Sequence, residues 1–151
     1  MPAQLAIDFR IAIEEIESAL VQAPEQLAAV PWRPGGWTRK EIVGHLLDSA
    51  ANNRQRFVRA VLDGSYSGPK YAQQGWVDAH GYADVPWTKL LAWWKCEHEM
   101  LANVVDRIPV ERLGTQCIVG EDAPVTLEFL IQDYLRHQRL HLIQIGTGQD
   151  R

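Results

Sequence analysis

The chain predicts an all-α four-helix bundle. Three observations predict it. Four stretches of roughly 20 residues carry apolar side chains at helical spacing, breakers stand between them, and no stretch shows a convincing two-residue alternation. A length of 151 residues gives one domain, residues 1–151, long enough to bury a sizeable core.

The first helix is expected over residues 3–22, with Leu5, Phe9, Ile13, Ile16 and Leu20 three or four apart and Glu14, Glu15 and Glu17 facing outward. Pro24 marks its end, and Pro31-Trp32-Arg33-Pro34-Gly35-Gly36 is a loop of breakers. Thr38-Arg-Lys-Glu41 is a capping box, so the second helix starts there and runs to about Leu62, stopping at Asp63-Gly64. Ile42, Leu46, Ala50, Phe57 and Val61 form its apolar arc, and His45, Ser49, Asn52 and Arg56 run along one edge. Exposed faces more often carry Lys and Glu, so this stripe reads as a pocket wall.

Residues 64–85 are the least regular section, with a short helical turn expected around Tyr71–Trp76. An irregular link of that length is uncommon, often functional, and long enough to cross a bundle end to end. Pro86 suits the first turn of a third helix with Asp84 as its cap, and the helix ends before Pro109. Its inward stripe is Trp87, Leu91, Trp94, His98, Leu101, Val105 and Ile108, read as core rather than a cofactor box. In the link 110–125, Cys117-Ile-Val followed by Gly-Glu-Asp-Ala-Pro suggests a small hairpin. The fourth helix starts near Thr126 and closes at Gly146, a good residue just past a helix end, leaving Thr147–Arg151 as a frayed tail.

Composition excludes several classes. The net charge of −4 gives no basic footprint for nucleic acid, and Arg54, Arg56 and Arg59 point in different directions on their helix. No apolar run is long enough to span a bilayer, and Asp8 and Arg10 interrupt any secretory stretch. Two cysteines outside any C-x-x-C motif read as reduced thiols of a cytoplasmic protein.

The chemistry concentrates in Tyr134-Leu-Arg-His137-Gln-Arg-Leu-His141-Leu. Imidazoles at i and i+4 lie one above the other on a helix, close enough to share a metal ion, though two histidines can equally be satisfied in a core. The H-E-x-x-H peptidase motif fails, because Gln138 replaces the carboxylate that would act as base. His45 on another helix can complete three nitrogen ligands, which with an exchangeable water make an open site rather than a closed structural one. Asp48 and Asp133 are candidates to hold a ligand's second nitrogen, or are solvated carboxylates. His98 reads as a hydrogen-bonded core histidine, with a pocket acid/base or extra ligand as the alternative. His80 reads as exposed. Arg56 either pairs with a carboxylate or anchors an anionic substrate.

Trp37-Thr-Arg-Lys-Glu41-Ile-Val-Gly-His45-Leu-Leu-Asp48-Ser49-Ala-Ala-Asn52-Asn-Arg-Gln-Arg56-Phe57 resembles the first signature of the DinB/YfiT-like metalloenzymes, and Tyr134-Leu-Arg-His137-Gln-Arg-Leu-His141-Leu resembles the second. Trp76 and the Pro86 to Ile108 segment also fit the YfiT-like branch, so the resemblance covers nearly the whole chain. It implies up-down-down-up connectivity, frequent homodimers, and a divalent zinc or nickel ion held by His45, His137 and His141. Relatives of that kind include low-molecular-weight thiol transferases and metal-dependent hydrolases. The expectation is therefore a metal-dependent thiol S-transferase acting on a small molecule, with Arg56 and Asn52 orienting the thiol and the Tyr71–Trp76 loop covering the acceptor. The alternatives are a hydrolase using metal-bound hydroxide and a non-catalytic metal- or ligand-binding bundle.

Overall fold

The computed structural model of the protein describes residues 3–146. Within them lie five α-helices and three short strands. α1 (Gln4–Gln22) buries Leu5, Phe9, Ile13, Ile16 and Leu20 as its periodicity requires, and the chain turns extended at Ala23, which Pro24 keeps out of the helical region. α2 (Arg39–Asp63) opens on the capping box: Glu41 N–H donates to Thr38 Oγ1 at 3.2 Å, and Thr38 N–H donates to Glu41 Oε1 at 2.9 Å. It closes at Gly64, whose φ of +76° a side chain would oppose.

The long link holds β1 (Tyr66–Gly68) and then α3 (Gln73–His80), which replaces the expected turn at Tyr71–Trp76 and closes at Gly81 with φ +60°. α4 (Trp87–Asp106) corrects one expectation. Pro86 stands just outside the helix, where its carbonyl accepts from Lys89 and Leu90 N–H, while Asp84 sits in a single 3₁₀ turn and caps nothing. Pro86 is extended, with ψ at 141°, so the first helical residue is Trp87.

β2 (Gln116–Val119) and β3 (Val125–Thr126) form the expected antiparallel hairpin. The sequence does not announce the third strand: β1 pairs in parallel with β2, Tyr66 opposite Cys117, giving the order β1-β2-β3. Two or three residues are too few to show alternation. α5 (Leu127–Gly146) follows directly, with Phe129 N–H donating to Thr126 Oγ1 at 3.1 Å. The expected tail, residues 147–151, lies outside the described residues.

Cross-helix contacts fix the directions. Arg10 meets Asp106 and Lys95 meets Glu17, so α1 and α4 are antiparallel. Phe9 stacks on Tyr134 and Arg139 reaches Glu15, so α1 and α5 are parallel. Arg39 meets Ile145 and Gln138 meets Leu46, so α2 runs against α5. Lys40 meets Ala83, just before α4, and Arg54 meets Glu97, so α2 and α4 run together. The bundle is therefore up-down-down-up, and the link carrying β1 and α3 is the crossover that makes α2 and α4 parallel.

Between the four long helices lies one core, with Phe9, Leu46, Phe57, Trp94, Leu101 and Ile131 fully buried. Burying each such side chain contributes roughly 1.5–3 kcal/mol before the entropy of ordering is counted. Arg39 is also buried, yet its guanidinium donates to Ile145, Val30 and Leu27 carbonyls and so closes the end of α5. No helix among the described residues is long and apolar enough to cross a membrane.

Candidate functional site

α2 and α5 together form one wall of a cavity of about 200 Å³; β2 and the β2–β3 hairpin, with Val119, Asp122 and Val125, cover the other. Side chains from α2 that line it are His45, Ser49, Asn53 and Arg56, spaced 4, 4 and 3 along one helical face. From α5 come Phe129, Leu130, Asp133, Tyr134 and His137; Tyr71 and Gln73 come from the crossover.

The three histidines gather at one end. The His45 and His141 ring centroids are 4.7 Å apart, His137 and His141 are 6.3 Å apart, and Trp37 packs on His45 at 4.9 Å. His45 is 2% exposed, and its Nδ1 is buried without a hydrogen-bond partner. Burial, then the neighbouring His141 and His137, push its pKa down to about 4, so at neutral pH the ring is uncharged. Burial lowers the His141 value in the same direction. His141 Nδ1 lies 2.9 Å from Gln144 Oε1, a contact that requires Nδ1 to carry the proton and leaves Nε2 as the lone-pair nitrogen. His137 is exposed.

Among the described residues, no three His, Cys, Asp or Glu side chains have their donor atoms gathered about one point. The imidazoles are neighbours rather than a formed coordination sphere, and bringing their nitrogens together takes side-chain rotation. The donor chemistry nevertheless fits a divalent ion: imidazole nitrogens from three histidines, with burial lowering the pKa of His45 and His141 and a buried nitrogen on His45 that nothing else satisfies.

Several neighbours differ from the sequence expectation. Asp48 does not hold His45. It is buried, accepts from Tyr82 Oη at 2.5 Å, and lies 3.4 Å from His80 Nδ1, while its Oδ2 is unpartnered. Burial raises its pKa, and the Tyr82 hydrogen bond opposes that. Asp133 pairs with Arg136 at 2.7 Å, its i+3 neighbour on α5, rather than with His137. Asn52 donates to its own helix at Asp48 O; Asn53, one residue on, lines the cavity and donates to Ser49 O. His98 sits wholly buried behind the cavity, Nδ1 2.8 Å from Trp94 O and Nε2 2.6 Å from Tyr134 Oη, so both nitrogens are engaged. His80 is exposed and stacks on Tyr82.

Two participants escape a reading of the sequence. Gln138, which there only removes the peptidase motif, is fully buried, accepts from Trp94 Nε1 at 3.1 Å and donates to Leu46 O. It stitches α4, α5 and α2 together between the two histidines of α5. Gln144, three residues beyond His141, is the partner that a search restricted to carboxylates passes over.

A sequence model described as the DinB superfamily matches residues 8–145. A Bacillus cereus (strain B4264) protein named "Putative metal-dependent hydrolase" is 26% identical over 142 residues, covering 91% of this chain and 79% of the relative. A Bacillus anthracis (strain CDC 684 / NRRL 3495) protein of the same name is 25% identical over the same length and the same shares. Among solved structures, YfiT from Bacillus subtilis, described as a probable metal-dependent hydrolase with an unusual four-helix bundle topology, superposes with a TM-score of 0.83 at 21% identity, covering 96% of this chain and 86% of that one. A mycothiol-dependent maleylpyruvate isomerase superposes with a TM-score of 0.78 at 11% identity, covering 95% of this chain and 60% of that one. At these identities the two structures speak for the bundle.

Proposed function

Since the chain belongs to the DinB superfamily, we propose that it is a metal-dependent enzyme acting on small molecules, with His45, His137 and His141 as the ligands of a divalent ion, zinc or nickel. The observation that carries this is the cluster of three imidazoles at one end of the cavity, with the buried His45 Nδ1 lacking any partner. The reaction proposed is thiol S-transfer. A bound divalent ion would supply activation of the nucleophile, by lowering the pKa of a coordinated thiol or water toward neutrality.

The chain's own residues do the rest. His45 stays unprotonated down to about pH 4, so its lone pair is available throughout the physiological range. Gln144 fixes the tautomer of His141. Val119, Val125, Phe129 and Leu130 give the cavity an apolar side for the non-polar part of a ligand. The Tyr134 hydroxyl, on that side, donates a hydrogen bond to Nε2 of His98, whose other nitrogen is committed to Trp94 O. Burial holds the Tyr134 pKa well above its ordinary value, so the group orients a ligand rather than exchanging protons with it.

The names of the Bacillus relatives favour a second reading, hydrolysis with water as the nucleophile. The test starts with elemental analysis of tag-free protein beside the His45→Ala variant. A stoichiometric ion lost in the variant is the expected result, and turnover surviving replacement of all three histidines by alanine would refute the reading. Assaying free-thiol consumption against ester or amide cleavage then separates transfer from hydrolysis.

A further inference from the structure

We propose that Arg56 anchors the carboxylate of an elongated ligand whose far end lies at the three histidines. This builds on the reading that the reacting group sits there, and it adds the class of molecule. Arg56 lines the cavity and is 8% exposed. Its guanidinium has only two long contacts, Nη1 to Asn53 Oδ1 at 3.5 Å and Nη2 to Pro69 O at 3.3 Å, and no ion pair among the described residues. The contrast is Arg39, also buried but met by three backbone carbonyls. A buried guanidinium left this poorly partnered is costly, and a carboxylate offers the two-point partner its planar fork suits.

The charges around Arg56 set the kind of group that end takes. Arg56 is the only Lys or Arg among the lining residues. The two lining carboxylates have cations of their own, Asp122 with Lys70 and Asp133 with Arg136. Away from the histidines, one uncompensated positive charge therefore faces the interior, and its planar fork suits a carboxylate. Asn53 and the Ser49 hydroxyl, which bonds Tyr71, lie beside it to take the ligand's polar groups.

Helix geometry sets the length. His45 and Arg56 are on one face of α2, three turns apart, so their Cα atoms lie about 16 Å apart along the axis. Long helical side chains lean toward the helix N-terminus, and the Asn53 contact shows Arg56 doing so, which shortens the span to be bridged. At roughly 3.5 Å per extended residue, the ligand is about as long as a tripeptide.

The experiment uses octanoate and octanamide as probes of metal-free protein, read by calorimetry and tryptophan fluorescence. Octanoate is expected to bind at least tenfold more tightly than octanamide. Arg56→Gln should erase that preference while leaving octanamide affinity within twofold, and Arg56→Lys should keep part of it. Equal affinity for the two probes in the wild-type protein, or a preference that survives Arg56→Gln, overturns the proposal. If Arg56→Gln does not fold, the wild-type ratio and Arg56→Lys decide. With zinc-loaded protein, 8-mercaptooctanoate should bind at least tenfold more tightly than octanoate or 3-mercaptopropanoate, and His45→Ala should abolish the increment. Dependence on Arg56 with no zinc increment upholds the anchor and overturns the histidine reading.

Discussion

Buried imidazoles should make this protein sensitive to mild acid. His98 is wholly buried and its pKa is pushed down to about 4, chiefly by burial, against an ordinary 6.5. His45 has the same depressed value. Between those limits the unfolded chain binds protons that the folded chain refuses. Stability is then intact above pH 6.5 and falls as the pH drops toward 4, by at most about 1.4 kcal/mol per pH unit for each histidine. Urea unfolding of metal-free protein at pH 7, 5.5 and 4.5 should show this decline. The His98→Gln variant should show a shallower one, since Gln still accepts from Tyr134 but does not titrate. An identical slope in both proteins would refute the assignment. The histidines themselves were visible in the sequence by type and spacing. Their partners were not, because Gln144, Trp94 O and Tyr134 are chosen by side-chain rotation and by which helix lies behind which, neither of which periodicity encodes.

At the scale of elements, α2 is where local propensity and packing conflict. Gly44 lies in the helix interior, where alanine is intrinsically better by about 1 kcal/mol. A Cβ there would overlap the ring of Tyr82, itself buried and hydrogen-bonded to Asp48. Packing should win. Gly44→Ala is expected to destabilise the protein by about 1–3 kcal/mol, read as a lower urea midpoint with unchanged m-value. A stabilised variant would mean that the crossover moves away from α2 at little cost. The four long helices were legible because each carries its own stripe and stop signals: the Thr38–Glu41 box, Gly64, and the Pro24 and Pro109 breaks. β1 was not, since three residues reveal nothing until their partner at Gln116–Val119 is known.

For the whole molecule, the proposed metal should act as a folding ligand. An ion that binds only the folded chain, present at 100 times its Kd, adds about 2.7 kcal/mol. For a domain of this size that is a rise in Tm of roughly 5–10 °C. Thermal unfolding with zinc, and again after chelation, should show the rise and its reversal. His141→Ala should show neither. An equal shift in the variant would place the ion elsewhere. The helical bundle was readable from the four stripes alone. The resemblance supplied its up-down-down-up order, which the helix contacts bear out.

The parallel pairing of β1 with β2 joins Tyr66 to Cys117 across a third of the chain. Helical turns form between near neighbours, but this contact must wait until a loop holding α3 and α4 has closed, which is slow on entropic grounds. The bundle therefore has the means to assemble before the cavity's outer wall does. Amide exchange should find β1 and β2 opening more readily than α2 or α5, so that the ligand chamber is the last part of the protein built and the first to come undone.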